Sequence, residues 1–87
     1  MKNEIKKVQK RICKLGYSVR DYSGCDVNFD LLVSGKIKVI VGKENPQSIP
    51  DNCDVFALVK NGYIIYYVRP IDGMVGLTKA RDAFGKI

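Results

Sequence analysis

Two short turn signals constrain this chain more than anything else in it. Asn61-Gly62 separates two apolar runs, residues 55–59 and 63–68. Asn-Gly favours the φ > 0 conformations that reverse a strand tightly, so these runs are expected to form an antiparallel hairpin. Ser34-Gly35 plays the same part between residues 27–33 and 37–41. With a period of two, Val27, Phe29, Leu31 and Val33 share one strand face, and Asn28, Asp30 and Leu32 share the other. In the returning strand Ile37, Val39 and Val41 alternate with Lys36, Lys38 and Ile40. Asp30 is thus a lone acid in an apolar stretch.

Upstream, residues 17–22 alternate loosely and read as a short strand closed by a Ser23-Gly24 turn. Residues 42–54, with Pro46 and Pro50, are a connection between the hairpins. Pro70 ends the second hairpin and Asp72-Gly73 turns the chain. Residues 77–84, with Lys79 and Arg81, read as a strand end or a helix turn. Tyr63, Tyr66 and Tyr67 are expected to pack across strands. Gly73-Met74-Val75-Gly76 lacks the strand-loop-helix setting of a phosphate loop and reads as a plain turn.

The segment ahead of the strands has a different period. At 100° per residue Ile5, Val8, Ile12 and Leu15 fall in one narrow arc, which predicts an amphipathic helix stopped by Gly16. Its other side carries Lys2, Lys6, Lys7, Lys10, Arg11 and Lys14. Residues 1–14 therefore hold six basic side chains against Glu4, a net +5. The remaining nine basic and eight acidic residues leave only +1 of the total +6. Glu4 falls at the edge of the apolar arc, aimed towards whatever the helix covers.

A helix followed by strands, at 87 residues, predicts one α+β domain over 1–87. The expected architecture is the N-terminal helix packed on one mixed or antiparallel sheet of about five strands. The chain has no histidine, and Cys13, Cys25 and Cys53 show no CxxC spacing. His-based triads are therefore excluded, disulfide scaffolds and Cys/His zinc sites are poor readings, and the cysteines are expected to be reduced, half-buried thiols. No apolar run approaches the ~18 residues of a membrane span, so a cytoplasmic protein without a membrane partner is expected. The narrow arc also lacks the aromatic residues of a membrane-surface helix. A concentrated cationic face suits an anionic partner, and phosphate backbone is the commonest one.

Three stretches carry a resemblance: Lys14-Leu15-Gly16-Tyr17-Ser18-Val19, Phe29-Asp30-Leu31-Leu32-Val33 and Ile37-Lys38-Val39-Ile40-Val41. Their order resembles the core of the PD-(D/E)XK nuclease superfamily, in which a helix carries a Glu and a strand opens on "GY-V". An "FDLLV"-type strand with a metal-binding Asp and a hairpin partner bearing acid-x-Lys follow. Asp54-Val55-Phe56-Ala57-Leu58-Val59 and Tyr66-Tyr67-Val68-Arg69-Pro70 look like later strands of the intron-associated and Holliday-junction-resolvase-like branches.

The resemblance implies a restriction-endonuclease-like core and a site in which two carboxylates hold Mg²⁺ or Mn²⁺ while a lysine favours the attacking hydroxide. Asp30 matches the first acid and Glu4 is similar in placement to the helix Glu. At the acid-x-Lys the sequence departs, with Lys38-Val39-Ile40 in the expected register. A shift of three gives Val41-Gly42-Lys43, with Glu44 as a migrated acid. The implied metal set is Glu4, Asp30 and Glu44, and the implied catalytic set is Asp30, Lys38 and Lys43. Lacking a second acid in place, the chain is expected to bind a divalent ion weakly.

The leading expectation is a nucleic-acid-binding protein on a degenerate nuclease fold, with DNA ahead of RNA. Phosphates would be met by Lys2, Lys6, Lys7, Lys10, Arg11 and Lys14 on the helix and by a strip of Lys36, Lys38 and Lys43 beside Asp30. The alternatives are an active Mg²⁺- or Mn²⁺-dependent endonuclease and a protein-binding inhibitor encoded by a mobile element. A homodimer is an expectation by analogy with small nuclease folds.

Overall fold

The computed structural model describes residues 2–44 and 53–68. Within them the chain forms α1 (Lys2–Lys14), β1 (Val19–Asp21), β2 (Leu31–Val33), β3 (Ile37–Gly42), β4 (Val55–Lys60) and β5 (Tyr63–Val68). This is the expected α+β arrangement of one helix on a five-strand sheet. No helix among the described residues is long and apolar enough to cross a membrane.

The sheet runs β1-β2-β3-β4-β5, and every neighbouring pair is antiparallel except β3 and β4, which are parallel. Mixed pairing follows from the two kinds of connection. Tight reversals make antiparallel neighbours, whereas the longer connection after β3 returns the chain to run alongside. Ser34 and Gly35 both have positive φ, at 56° and 72°, and Lys36 N–H closes the turn on Val33 O at 3.1 Å. Asn61 and Gly62 do the same for β4 and β5, at 51° and 82°. These values mark both reversals as turns whose twist matches the strands they join.

The helix stripe buries Ile5, Val8 and Ile12 into one core with Leu31, Val33, Ile37, Val39, Val41, Val55, Ala57, Tyr66 and Val68. Strand alternation then sends Lys38, Ile40 and Gly42 of β3 to the face turned away from α1. Truncating Ile12, which is fully buried, would cost about 2–5 kcal/mol.

Three local expectations are corrected. Leu15 is 37% exposed rather than buried. The helix tightens instead into a final turn, with Leu15 N–H on Ile12 O and Gly16 N–H on Cys13 O, and Gly16 leaves at φ 97°. Residues 27–30 are not strand: Cys25 N–H bonds Tyr22 O, Val27 N–H bonds Cys25 O, and Val27 is 43% exposed. The cysteines are free but unequal, with Cys13 and Cys25 exposed and Cys53 buried. The reading of 77–84 lies outside the described residues, as do the Asp72-Gly73 turn, the Gly73–Gly76 segment and most of the 42–54 connection.

Candidate nucleic-acid interface

The amphipathic pattern of α1 fixes where its charges go. With the apolar stripe on the sheet, Lys2, Lys6, Lys7, Lys10, Arg11 and Lys14 are all exposed. Asn3, Lys6, Lys7, Gln9 and Lys10 line a hollow of about 510 Å³ along this helix. The cations are not equivalent. Lys7 Nζ donates to Gly62 O at 3.2 Å, fastening the helix to the β4–β5 turn. Lys6 lies within electrostatic reach of Asp21 on β1. The Asp21 carboxyl sits below its ordinary value, mainly because it accepts the Ser23 hydroxyl at 2.6 Å and the Ser23 N–H at 2.8 Å, with Lys6 adding to the effect. On the other flank Arg11 faces Tyr66, whose phenol is pushed up to about 12 by burial against the opposing pull of Arg11.

The sheet lysines are exposed and spread along the length of β3. Lys36 lies in the turn before β3, Lys38 on the face away from α1, and Lys43 beyond the end of β3. Seven residues of extended chain separate Lys36 from Lys43, about 23 Å. Lys38 places its ammonium 5.9 Å from the Phe29 ring centroid, and Phe29 meets Tyr22 edge-on at 5.4 Å. The helix cations and Lys38 thus occupy opposite sides of the sheet.

Asp30 stands where β2 is about to begin, and the sheet uses it. Its N–H donates to Val39 O at 2.9 Å, and its Oδ2 accepts the Val41 N–H at 2.8 Å. The carboxylate therefore completes the hydrogen bonding of β3 beyond the end of the β2 ladder. Asp54 does the same from the β4 side: its N–H donates to Lys38 O and its Oδ2 accepts the Lys38 N–H, both at 2.9 Å. Sequence reasoning missed Asp54, although an acid immediately ahead of an apolar run is a recognisable strand-entry signal.

Lys7 also locates the helix start. The Gly62 turn lies at the end where β3 runs out at Gly42 and β2 begins, so Glu4, one turn before Lys7, is at the same end of the sheet as Asp30. Glu4 is half-buried and Glu44 is exposed just past β3. Among the described residues no group of three or more His, Cys, Asp or Glu gathers as metal ligands. On the sheet face beside Asp30, position 42 is glycine, and the Phe56 ring lies against its Cα so closely that a Cβ there would collide with it. One Asp30 oxygen is committed to the backbone.

Comparison with known proteins finds no matching family model, no matching curated protein and no matching solved structure.

Proposed function

We propose that the chain is a nucleic-acid-binding protein that grips phosphate backbone with the outer side of α1. One observation carries this reading: six cations stand exposed on a thirteen-residue helix whose opposite stripe is buried. An anionic polymer is the partner whose charge density matches such a ridge. The PD-(D/E)XK-like order of helix, strand, Asp30-bearing strand and hairpin partner supports a restriction-endonuclease-like core, and so favours DNA over RNA. The engagement of the Asp30 carboxylate with the Val41 N–H supports a binding rather than a hydrolytic role.

The test is a titration of duplex DNA over a salt series. If about four helix cations release counterions, log K falls with log salt at a slope near −3.6, about 0.9 per phosphate. Lys6→Ala with Lys10→Ala lowers that slope by about two and weakens binding to all sequences alike, because phosphate contacts carry no base information. Failure of duplex DNA, single-stranded DNA and RNA to bind at low salt overturns the reading. Mg²⁺-dependent plasmid nicking that Asp30→Ala abolishes would replace it with the endonuclease alternative.

A further inference from the structure

Alternation along β1 and β2 gives the side of the sheet away from α1 a composition of its own. Leu31 and Val33 go to the core, so Leu32 faces the other way, and strand pairing sets Arg20 beside it. Two backbone bonds extend this ladder, Ser34 N–H to Ser18 O and Tyr22 N–H to Asp30 O, both at 2.8 Å. Ser18, Arg20, Tyr22 and Leu32 therefore share the outer face. With Ser34 and Gly35 of the adjoining turn they line a hollow of about 500 Å³, within the range of about 300–1,000 Å³ that holds small ligands. Its two ends differ. At one end stand Arg20, Ser18 and Ser34, all exposed and, among the described residues, without a side-chain partner. At the other, half-buried Tyr22 meets Phe29 edge-on. Lys38 flanks Leu32 from the far side, so two cations stand about 10 Å apart across an apolar floor. The acids of the neighbouring strands are engaged elsewhere: Asp21 with Ser23, Asp30 with the Val41 N–H and Asp54 with the Lys38 N–H.

We propose that this hollow binds a phosphomonoester carried on a planar ring, as in a nucleotide, with the phosphate on Arg20 and the ring against Leu32 and Tyr22. The fixed fork of a guanidinium matches two phosphate oxygens at once, and the hydroxyls of Ser18 and Ser34 are placed to donate to the others. An apolar floor ending in an aromatic side chain suits a planar ring. The charges orient the ligand: its phosphate lies towards the Ser34-Gly35 turn, because the Asp30 carboxylate stands beyond Tyr22 and repels an anion there. A free mononucleotide and the phosphorylated end of a strand share this chemistry. The hollow lies on the opposite side of the sheet from α1, so the inference does not rest on duplex binding by the helix.

The test follows backbone amide resonances of the full chain during titration with a nucleoside 5′-monophosphate and with its parent nucleoside. The monophosphate is expected to shift amides of residues 18–22 and 32–35 and to bind at least tenfold more tightly than the nucleoside. Arg20→Ala is expected to weaken it at least tenfold. Arg20→Lys, which keeps the charge and loses the fork, should restore only part of that loss. Single strands with and without a 5′-phosphate separate the two sources. A difference between them at residues 18–22 assigns the site to strand ends, and identical shifts assign it to the free nucleotide. Equal binding of nucleoside and monophosphate overturns the proposal, as do shifts confined to α1, binding that Arg20→Ala leaves unchanged, and absence of binding at millimolar monophosphate. The shift map needs no variant, so the proposal stays falsifiable even if a substitution at Arg20 disturbs folding.

Discussion

On α1 the charged groups of Lys6, Lys10 and Lys14 stand exposed on a helix anchored by its opposite stripe, whereas the carboxylates of Asp30 and Asp54 are built into the sheet. The helix cations and Asp30 look like candidate sites in the sequence, and Asp54 does not. The two regions differ in what would be lost with them. Removing a cation from the helix takes away a contact for a partner, while removing Asp30 leaves a half-buried backbone N–H of β3 without its acceptor. A charged residue is therefore informative about function only after its local hydrogen bonds have been traced.

The strongest way to break this comparison is at Gly42. Gly42→Ala drives a methyl into the tip of the half-buried Phe56 ring and is expected to cost about 1–3 kcal/mol, the range for overpacking, read by urea denaturation. Should it prove neutral, the Phe56 ring swings aside at little cost and the contact does not constrain this face of the sheet. Asp30→Ala is expected to cost about 2 kcal/mol, because it strands the Val41 N–H. A metal-site aspartate would behave oppositely, since its removal relieves unpaired charge and leaves stability equal or higher.

Asp54→Ala, whose bond to Lys38 N–H is exposed, should cost about 1 kcal/mol in the same assay. Tyr66 supplies a pH test on the side facing Arg11. Its folded pKa of about 12 lies above the ordinary value of 10.0, so above pH 10 the unfolded chain loses a proton that the folded chain keeps. Stability should therefore fall as pH rises from about 10 to about 12, and Tyr66→Phe should flatten that fall. The smallest effect belongs to the helix. Lys6→Ala with Lys10→Ala should leave unfolding within about 0.5 kcal/mol of wild type, as exposed substitutions do, while weakening nucleic-acid binding. A large loss of stability would move these lysines into the structural group with Asp30.

Much of the architecture was legible in local pattern. The stripe of Ile5, Val8 and Ile12 specifies the helix and which side carries its cations. Asn61-Gly62 and Ser34-Gly35 specify two reversals, because few residue pairs accept positive φ at both central positions. Alternation in Ile37, Val39 and Val41 specifies which face is buried. These properties rest on interactions within a few residues of chain, so the sequence determines them by itself.

The roles of the polar residues were decided at longer range. Asp30 and Val41 are eleven positions apart, and Asp54 and Lys38 sixteen. Their pairing exists only once β2 and β4 flank β3. The same holds for Phe56 over Gly42, which requires the parallel register of β3 and β4. It holds for the separation of Lys38 from the helix cations, which requires α1 to have chosen a face. A sequence states which groups can donate, accept or carry charge. Tertiary structure decides which of them the backbone consumes, because a backbone group withdrawn from water must be satisfied by whatever acceptor the fold brings to it.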